Sequence, residues 1–298
     1  ASSKKKIIKG GFFMTRRRFP VGKTLLYVFM SLWALTTIYP FIWVILNSFK
    51  PRGLIRSDTF SLPIGDKFTL ENYVTAFKRV DIGTAYVNSI VISGAVTVVV
   101  MVLAGLAAYA MVRYSFRLRG FLHSMIIASM MFPVFSTIIP VFRMESSWGI
   151  VNTGSIWLTR LSVVLPQIAG NLSFAIIVLM GFIRSLPVDL EEAAYLEGYN
   201  VYQIFFRIIM PLAKPSFATV GIFTFLWSYN DLFLQMFFLR SKKFFTITRL
   251  LNEISSQAGT NYGLMVAAVV MVVIPVLVVY IFLQNYIIKG MTAGAVKG

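Results

Sequence analysis

The segment from Pro187 to Pro211 carries the densest reactive chemistry in the chain: Pro187-Val-Asp-Leu-Glu-Glu-Ala-Ala-Tyr-Leu-Glu-Gly198, followed by Tyr-Asn-Val-Tyr-Gln-Ile-Phe-Phe-Arg-Ile-Ile-Met-Pro211. Glu192 and Glu197 offer charged hydrogen-bond handles, and the small Ala193 and Ala194 beside them let another surface approach closely. That is the chemistry of docking, not of bond breaking. A second set, Asn88, Ser89, Trp227, Tyr229, Asn230, Asp231 and Gln235, combines planar amides, hydroxyls and aromatic faces, the groups a sugar needs. Catalytic sets are missing: there is no H-E-x-x-H and no G-x-S-x-G. The only histidine, His123, has no paired ligand or nucleophile and reads as an interfacial side chain. Gly22-Lys-Thr24 is not a phosphate loop, because the first glycine of G-x-x-x-x-G-K-[ST] would fall on Arg17. No catalytic residue and no metal ligand is therefore expected.

Local punctuation turns the docking segment into an elbow. Pro187 suits a helix start, and Asp189, Glu191 and Glu192 favour the positive end of the helix dipole. Gly198 can take the left-handed conformation that stops a helix. After that turn, Val201, Ile204, Phe205 and Ile208 recur at i, i+3, i+4 and i+7, which predicts an amphipathic helix ended by Pro211. The competing reading is an interfacial helix lying on lipid head groups. Carboxylates so close together fit poorly beside an anionic leaflet.

The elements that must position these groups are membrane helices. Of 298 residues, 57% are hydrophobic and 13% charged, too little charge to cover a soluble surface, and the chain has no cysteine for disulfides or thiolate metal sites. The net charge of +17 is spread between apolar runs instead of forming a solvated patch, which argues against nucleic acid and for membrane lipid. A span needs about 20 apolar residues to cross about 30 Å of hydrocarbon. Six runs qualify: residues 25–46, 86–111, 121–142, 161–182, 217–239 and 264–283, with Pro133, Pro140 and Pro166 interrupting the third and fourth. The predicted fold is all-α integral membrane, with six transmembrane helices (residues 24–298) behind a basic N-terminus (residues 1–23) and a docking loop (residues 183–216) between spans four and five.

Lys4, Lys5, Lys6, Lys9, Arg16, Arg17, Arg18 and Lys23, with no acid among them, place the N-terminus in the cytoplasm, and six spans return the C-terminus there. The run at 25–46 is too long for a signal peptide and lacks its cleavage site. The charge rule is obeyed by Arg113, Arg117 and Arg119 and broken by Arg240, Lys242, Lys243 and Arg249, which fall outside. Residues 47–85 and 241–262 are the sizeable external loops. Ala104 and Ala108 are spaced for close helix packing. Asp231 alone lies clearly inside a span. Asn230 and Asp231 read either as a polar gate or as a packing pair bonded to a neighbouring span.

Glu192-Ala-Ala, three residues, Gly198, nine further residues, Ile208, two further and Pro211 resemble the E-A-A-x-x-x-G-x(9)-I-x-L-P loop of binding-protein-dependent ABC transporter permeases. Met210 replaces the usual Leu, and Glu197 stands where Asp is common. Asn47-Ser-Phe-Lys-Pro51, Phe68-Thr-Leu-Glu-Asn-Tyr73, Asn88-Ser-Ile90, Ala107-Ala-Tyr-Ala110, Trp227-Ser-Tyr-Asn-Asp231 and the tail Gly290–Gly298 are similar to the carbohydrate-uptake branch, in particular the second permease of maltose-type systems. Asp231 departs from the Glu frequent there.

This resemblance implies a bacterial-type inner-membrane subunit that moves a sugar and is not itself an enzyme. Its partners would be a homologous permease, two ATPase subunits and an extracytoplasmic sugar-binding protein. It also implies that Glu192, Ala193, Ala194, Glu197, Gly198, Ile208 and Pro211 couple to the ATPase, and that ATP and Mg reside on the partners, with no cofactor on this chain. Glycerol phosphate or a polyol is the alternative cargo. An ion-coupled secondary transporter is the rival class, and the sparse intramembrane charge argues against it.

Overall fold

Apolar runs longer than twenty residues leave backbone groups with no water to bond, and helices satisfy them internally. The computed structural model describes residues 21–79, 81–258 and 261–295 and shows no strand among them. The basic cluster from Lys4 to Arg18 and the last three residues of the tail lie outside the described residues. Helix α1 (Val21–Ser48) is followed by two short helices, α2 (Arg52–Ser57) and α3 (Glu71–Arg79), and then by α4 (Ile82–Arg113), whose start is capped by Asp81 accepting from the Thr84 amide at 3.0 Å. Next come α5 (Arg119–Ser129), α6 (Val134–Ser147) and α7 (Ile156–Ile183). Then follow α8 (Asp189–Leu196), α9 (Val201–Ile204), a π-helical turn (Phe205–Ile209), α10 (Met210–Leu212), α11 (Lys214–Asn230) and α12 (Phe233–Phe238). The described chain ends with α13 (Ile247–Ala258) and α14 (Tyr262–Ala295).

Helices α1, α4 and α7 are each long and apolar enough to cross a bilayer. The third predicted span is interrupted at Pro133, as expected, and the fifth departs from expectation. Residues 121–142 are split between α5 and α6, which meet at 104°, because Pro133 lacks an amide and its extended backbone breaks the ladder. Residues 217–239 stop being helical at Asn230 and resume in α12. Pro140 and Pro166, expected to interrupt, sit inside continuous helices. Packing against neighbouring helices makes such prolines tolerable.

The core is α4 against α7, with α11 across both. Ala104 and Ala108 are fully buried in it, as their spacing predicts. Helix α1 packs on α14, and its residues 22–42 are otherwise exposed.

The segment between α1 and α4 folds into a small knot. The Lys50 ammonium, fully buried, donates to the carbonyls of Asp58 (3.0 Å) and Thr59 (2.8 Å). The Asn72 amide donates to the carbonyls of Ser48 and Lys50, and Phe49 stacks on Phe68. Two motifs far apart in sequence, Asn47–Pro51 and Phe68–Tyr73, are thus halves of one structure. Asn72 also lies so close to Gly263 that a Cβ there would collide with its side-chain amide, which favours glycine at the start of α14.

Candidate functional site

The elbow is built by three local devices. Asp189, Glu191 and Glu192 occupy the first turn of α8, where the dipole welcomes them. At its other end Gly198 takes φ +86°, and the Gly198 and Tyr199 amides donate to the carbonyls of Tyr195 and Ala194, both at 3.0 Å, closing the helix in a Schellman turn. Asn200 and Gln203 then cap α9 reciprocally, each side chain accepting from the other's amide at 2.9 and 2.8 Å.

Past the cap the structure corrects the expected stripe. Ile204, Phe205 and Ile209 are buried to within 1% of full, while Ile208 is only half-buried and Val201 is exposed. The π-helical turn fits one more residue into a turn than an α-helix does, and this moves the buried face from Ile208 to Ile209. Pro211 does not end the helix either. The chain runs helically to Leu212 and bends by 83° at Ala213. Phe205 and Phe217 press on α4 at Gly105, where a Cβ would meet their rings at 2.8–2.9 Å.

Glu191, a residue the sequence reading passed over as a docking group, fixes α8 to the membrane helices. Its carboxylate is buried and accepts from Arg113 Nε at 2.6 Å and from the Tyr109 hydroxyl at 2.8 Å. A second guanidinium nitrogen of Arg113 donates to the Leu186 carbonyl at 3.0 Å. One cation at the end of α4 therefore holds both the start of the elbow and its first turn. The signal was present: Tyr109 and Arg113 are i, i+4 on one face of α4, pointing past the end of an apolar run.

With Glu191 and Ala194 turned inward, the rest of α8 is presented outward. Glu192, Ala193, Glu197 and Gly198 are exposed, Leu196 is 91% exposed, and Tyr202 and Pro211 are exposed beside them. A surface joining free carboxylates to a bare leucine and tyrosine fits a protein partner better than water.

The second candidate set is dispersed. Asn88 and Ser89 are buried, and their polar atoms are already engaged: Asn88 donates to the carbonyls of Lys243 and Phe245 and accepts from Arg160, and Ser89 accepts from the Ile247 amide. Asp231, expected inside a span, sits in the break after α11. It accepts from Gln167 on α7 at 2.9 Å and from the Leu234 amide at 3.2 Å, capping α12. Ser228 and Asn171 join Gln167 in the same cluster, and the Gln235 side chain bonds the Ser228 carbonyl and Thr246. Tyr229 is buried, and its carbonyl accepts from Thr248, whereas Asn230 is exposed. Trp227 is 47% exposed and packs on Phe174 at 4.9 Å. It lines an open groove of about 450 Å³ with Gly170, Ser129, Ser173 and Thr137, and the other five path candidates do not line that groove.

Comparison with known proteins agrees across most of the chain. Residues 101–293 match the family described as the binding-protein-dependent transport system inner membrane component. The diacetylchitobiose uptake system permease protein of Streptomyces coelicolor is 33% identical over 91% of this chain and 88% of its own length. The melibiose/raffinose/stachyose import permease protein of Bacillus subtilis is 31% identical, covering 87% and 91%. Among solved structures, a chain of a bacterial ABC transporter that imports the acidic polysaccharide alginate superposes with a TM-score of 0.77 at 24% identity, covering 89% of this chain and 96% of that one.

Proposed function

Because the chain belongs to the family of binding-protein-dependent transport system inner membrane components, we propose that it is one of two homologous permease subunits of an ATP-driven sugar importer. In this reading α1, α4, the bent pair α5–α6, α7, α11 and α14 make six spans of an inner membrane, with the elbow and both termini on the cytoplasmic side. Two ATPase subunits carry ATP and Mg and grip the elbow, and a binding protein delivers sugar to the opposite face. Relatives named for diacetylchitobiose and for melibiose, raffinose and stachyose favour an oligosaccharide as cargo.

The observation that carries this reading is the two-sidedness of α8. Its inner face is fixed to α4 through Glu191, Arg113 and Tyr109, and its outer face leaves Glu192, Ala193 and Glu197 bare. A push on the outer face is passed to α4 because the two helices share a buried ion pair. Alternating access follows when the ATPase dimer closes and α4 and α11 tilt with the elbow, opening or shutting the groove at Trp227.

The intact complex, purified gently, is expected to yield a second permease, an ATPase and a binding protein by mass. Glu192→Lys and Gly198→Pro should insert normally but hydrolyse ATP without driving uptake in vesicles. Normal transport by both variants would falsify the coupling role.

A further inference from the structure

Three of the four basic residues that break the charge rule, Arg240, Lys242 and Lys243, lie together in the chain, and the fourth, Arg249, is paired with Glu253. Arg240 lies over the Phe142 ring at 5.4 Å, and Phe142 meets Phe238 edge-on at 5.3 Å. Phe238 and Val141 both line the groove, and Arg240 and Arg143 each stand two residues further along the chain from one of them. Lys242 and Lys243 follow Arg240 in the chain, and the Asn88 amide holds the Lys243 and Phe245 carbonyls in place. Arg143, Arg240, Lys242 and Lys243 are exposed, and none makes an ion pair among the described residues. Glu145, two residues from Arg143, is buried and so not offered to the surface, and Glu253 is bonded to Arg249 at 2.9 Å. Trp148 and Trp157 are also exposed, at 56% and 72%. By contrast, the 47–81 segment mixes acids with bases and pairs Asp58 with Lys67.

We infer that Arg143, Arg240, Lys242 and Lys243 form an electropositive landing site for an acidic face of the extracytoplasmic binding protein. This rests on the importer reading. Exposed cations on the side of the membrane where the charge rule disfavours them call for a role other than topology. Arginine and tryptophan together are the residues that anchor interfaces. The groove lined by Phe238 and Val141 supplies hydroxyls from Ser129, Thr137 and Ser173 and no charged side chain. An anionic cargo would leave its counter-charges behind at these cations and enter a neutral apolar wall. A docking protein keeps its carboxylates at these cations while a neutral sugar passes.

The test uses the whole complex in vesicles with the binding protein identified by the purification above. The readout is the binding-protein concentration that half-saturates ATPase stimulation. With the wild type it should rise about tenfold between low and high salt, as electrostatically steered association does. The triple reversal Arg240→Glu, Lys242→Glu, Lys243→Glu should raise it about tenfold at low salt and flatten the salt dependence. The charge-keeping triple Arg240→Lys, Lys242→Arg, Lys243→Arg should behave as wild type, which separates charge from folding. A half-saturation indifferent to salt and to reversal overturns the inference while leaving the importer intact. So does a salt effect that disappears in purely zwitterionic vesicles, which would assign the patch to anionic lipid. Absence of any stimulation in the wild type would instead count against the importer reading.

Discussion

The two ends of α4 are tied down by polar clusters of opposite character. At the elbow end an ion pair does it, Arg113 to Glu191, with Tyr109 alongside. At the other end neutral groups do it: Asn88 and Ser89 bond the backbone at 243, 245 and 247. Hydrogen bonds of the second kind weaken steeply when their angle changes, whereas Coulomb attraction falls only slowly with distance. An amide staple therefore suits a part that must keep one shape, such as the segment that follows α12. An ion pair suits a joint between bodies that move against each other and must stay connected.

The sharpest way to break this contrast is to remove one member of each cluster. Arg113→Ala strands a buried carboxylate, and losing one partner of a buried pair costs about 3–5 kcal/mol. Uptake is expected to fall to background in vesicles while ATPase activity persists uncoupled. Arg113→Glu combined with Glu191→Arg should recover a measurable part of both. Asn88→Ala leaves two carbonyls and the Arg160 guanidinium short of a partner, about 1–3 kcal/mol. It should lower the thermal midpoint of the purified complex and loosen residues 241–247 in hydrogen exchange, with the ratio of ATP hydrolysed to sugar moved held at the wild-type value. If both variants shift that ratio equally, the two ends are not different in kind.

Gly198→Ala acts inside the elbow without touching the pair. Nothing stands within 4 Å of a Cβ there, so only the left-handed backbone resists, at about 1–2 kcal/mol. Hydrogen exchange at Tyr199 and Gln203 should speed up several-fold, with a partial loss of coupling. A silent outcome would assign the angle of the elbow to the Asn200–Gln203 cap alone.

Much of the elbow was legible because its devices are local. Helix start, glycine stop and restart each depend on neighbours within a few residues. The register of the apolar stripe was not, since the π-turn that shifts burial to Ile209 depends on how Phe205 seats at Gly105, a contact 100 residues away in sequence. Pro133 marks an interruption of span three in the sequence, but hydropathy is blind to direction, and only the extended backbone there shows the 104° bend. Asp231 read as a charge within a helix because nothing in its own segment announces Gln167, its partner on α7. Tertiary polar pairs carry no periodicity, and the sequence reading picked out Glu192 where the structure buries Glu191.

The knot between α1 and α4 sharpens the comparison at its weakest setting, because it holds an ion pair that is exposed. Asp58 and Lys67 meet at 2.7 Å with side chains about two-fifths open to solvent. The hydrogen bond from Lys67 holds the Asp58 carboxyl below its usual range, and the same bond raises Lys67. A depressed acid contributes stability above its unfolded value and loses it as pH falls through the folded one. A raised lysine contributes below its unfolded value and loses it as pH climbs past the folded one. The pair should thus hold steady across roughly pH 5 to 9 and weaken outside it, by little, since solvent and salt screen it. Hydrogen-exchange protection over residues 52–67, taken relative to the intrinsic exchange rate at each pH, should be flat across that window and fall as acid protonates Asp58, with Asp58→Asn flattening the acid limb. The buried Lys50 contacts go to carbonyls that do not titrate, so they keep the knot folded through the same acid step. Complete unfolding of the knot at that step would show the exposed pair to be its main support and would erase the distinction between buried and exposed ties.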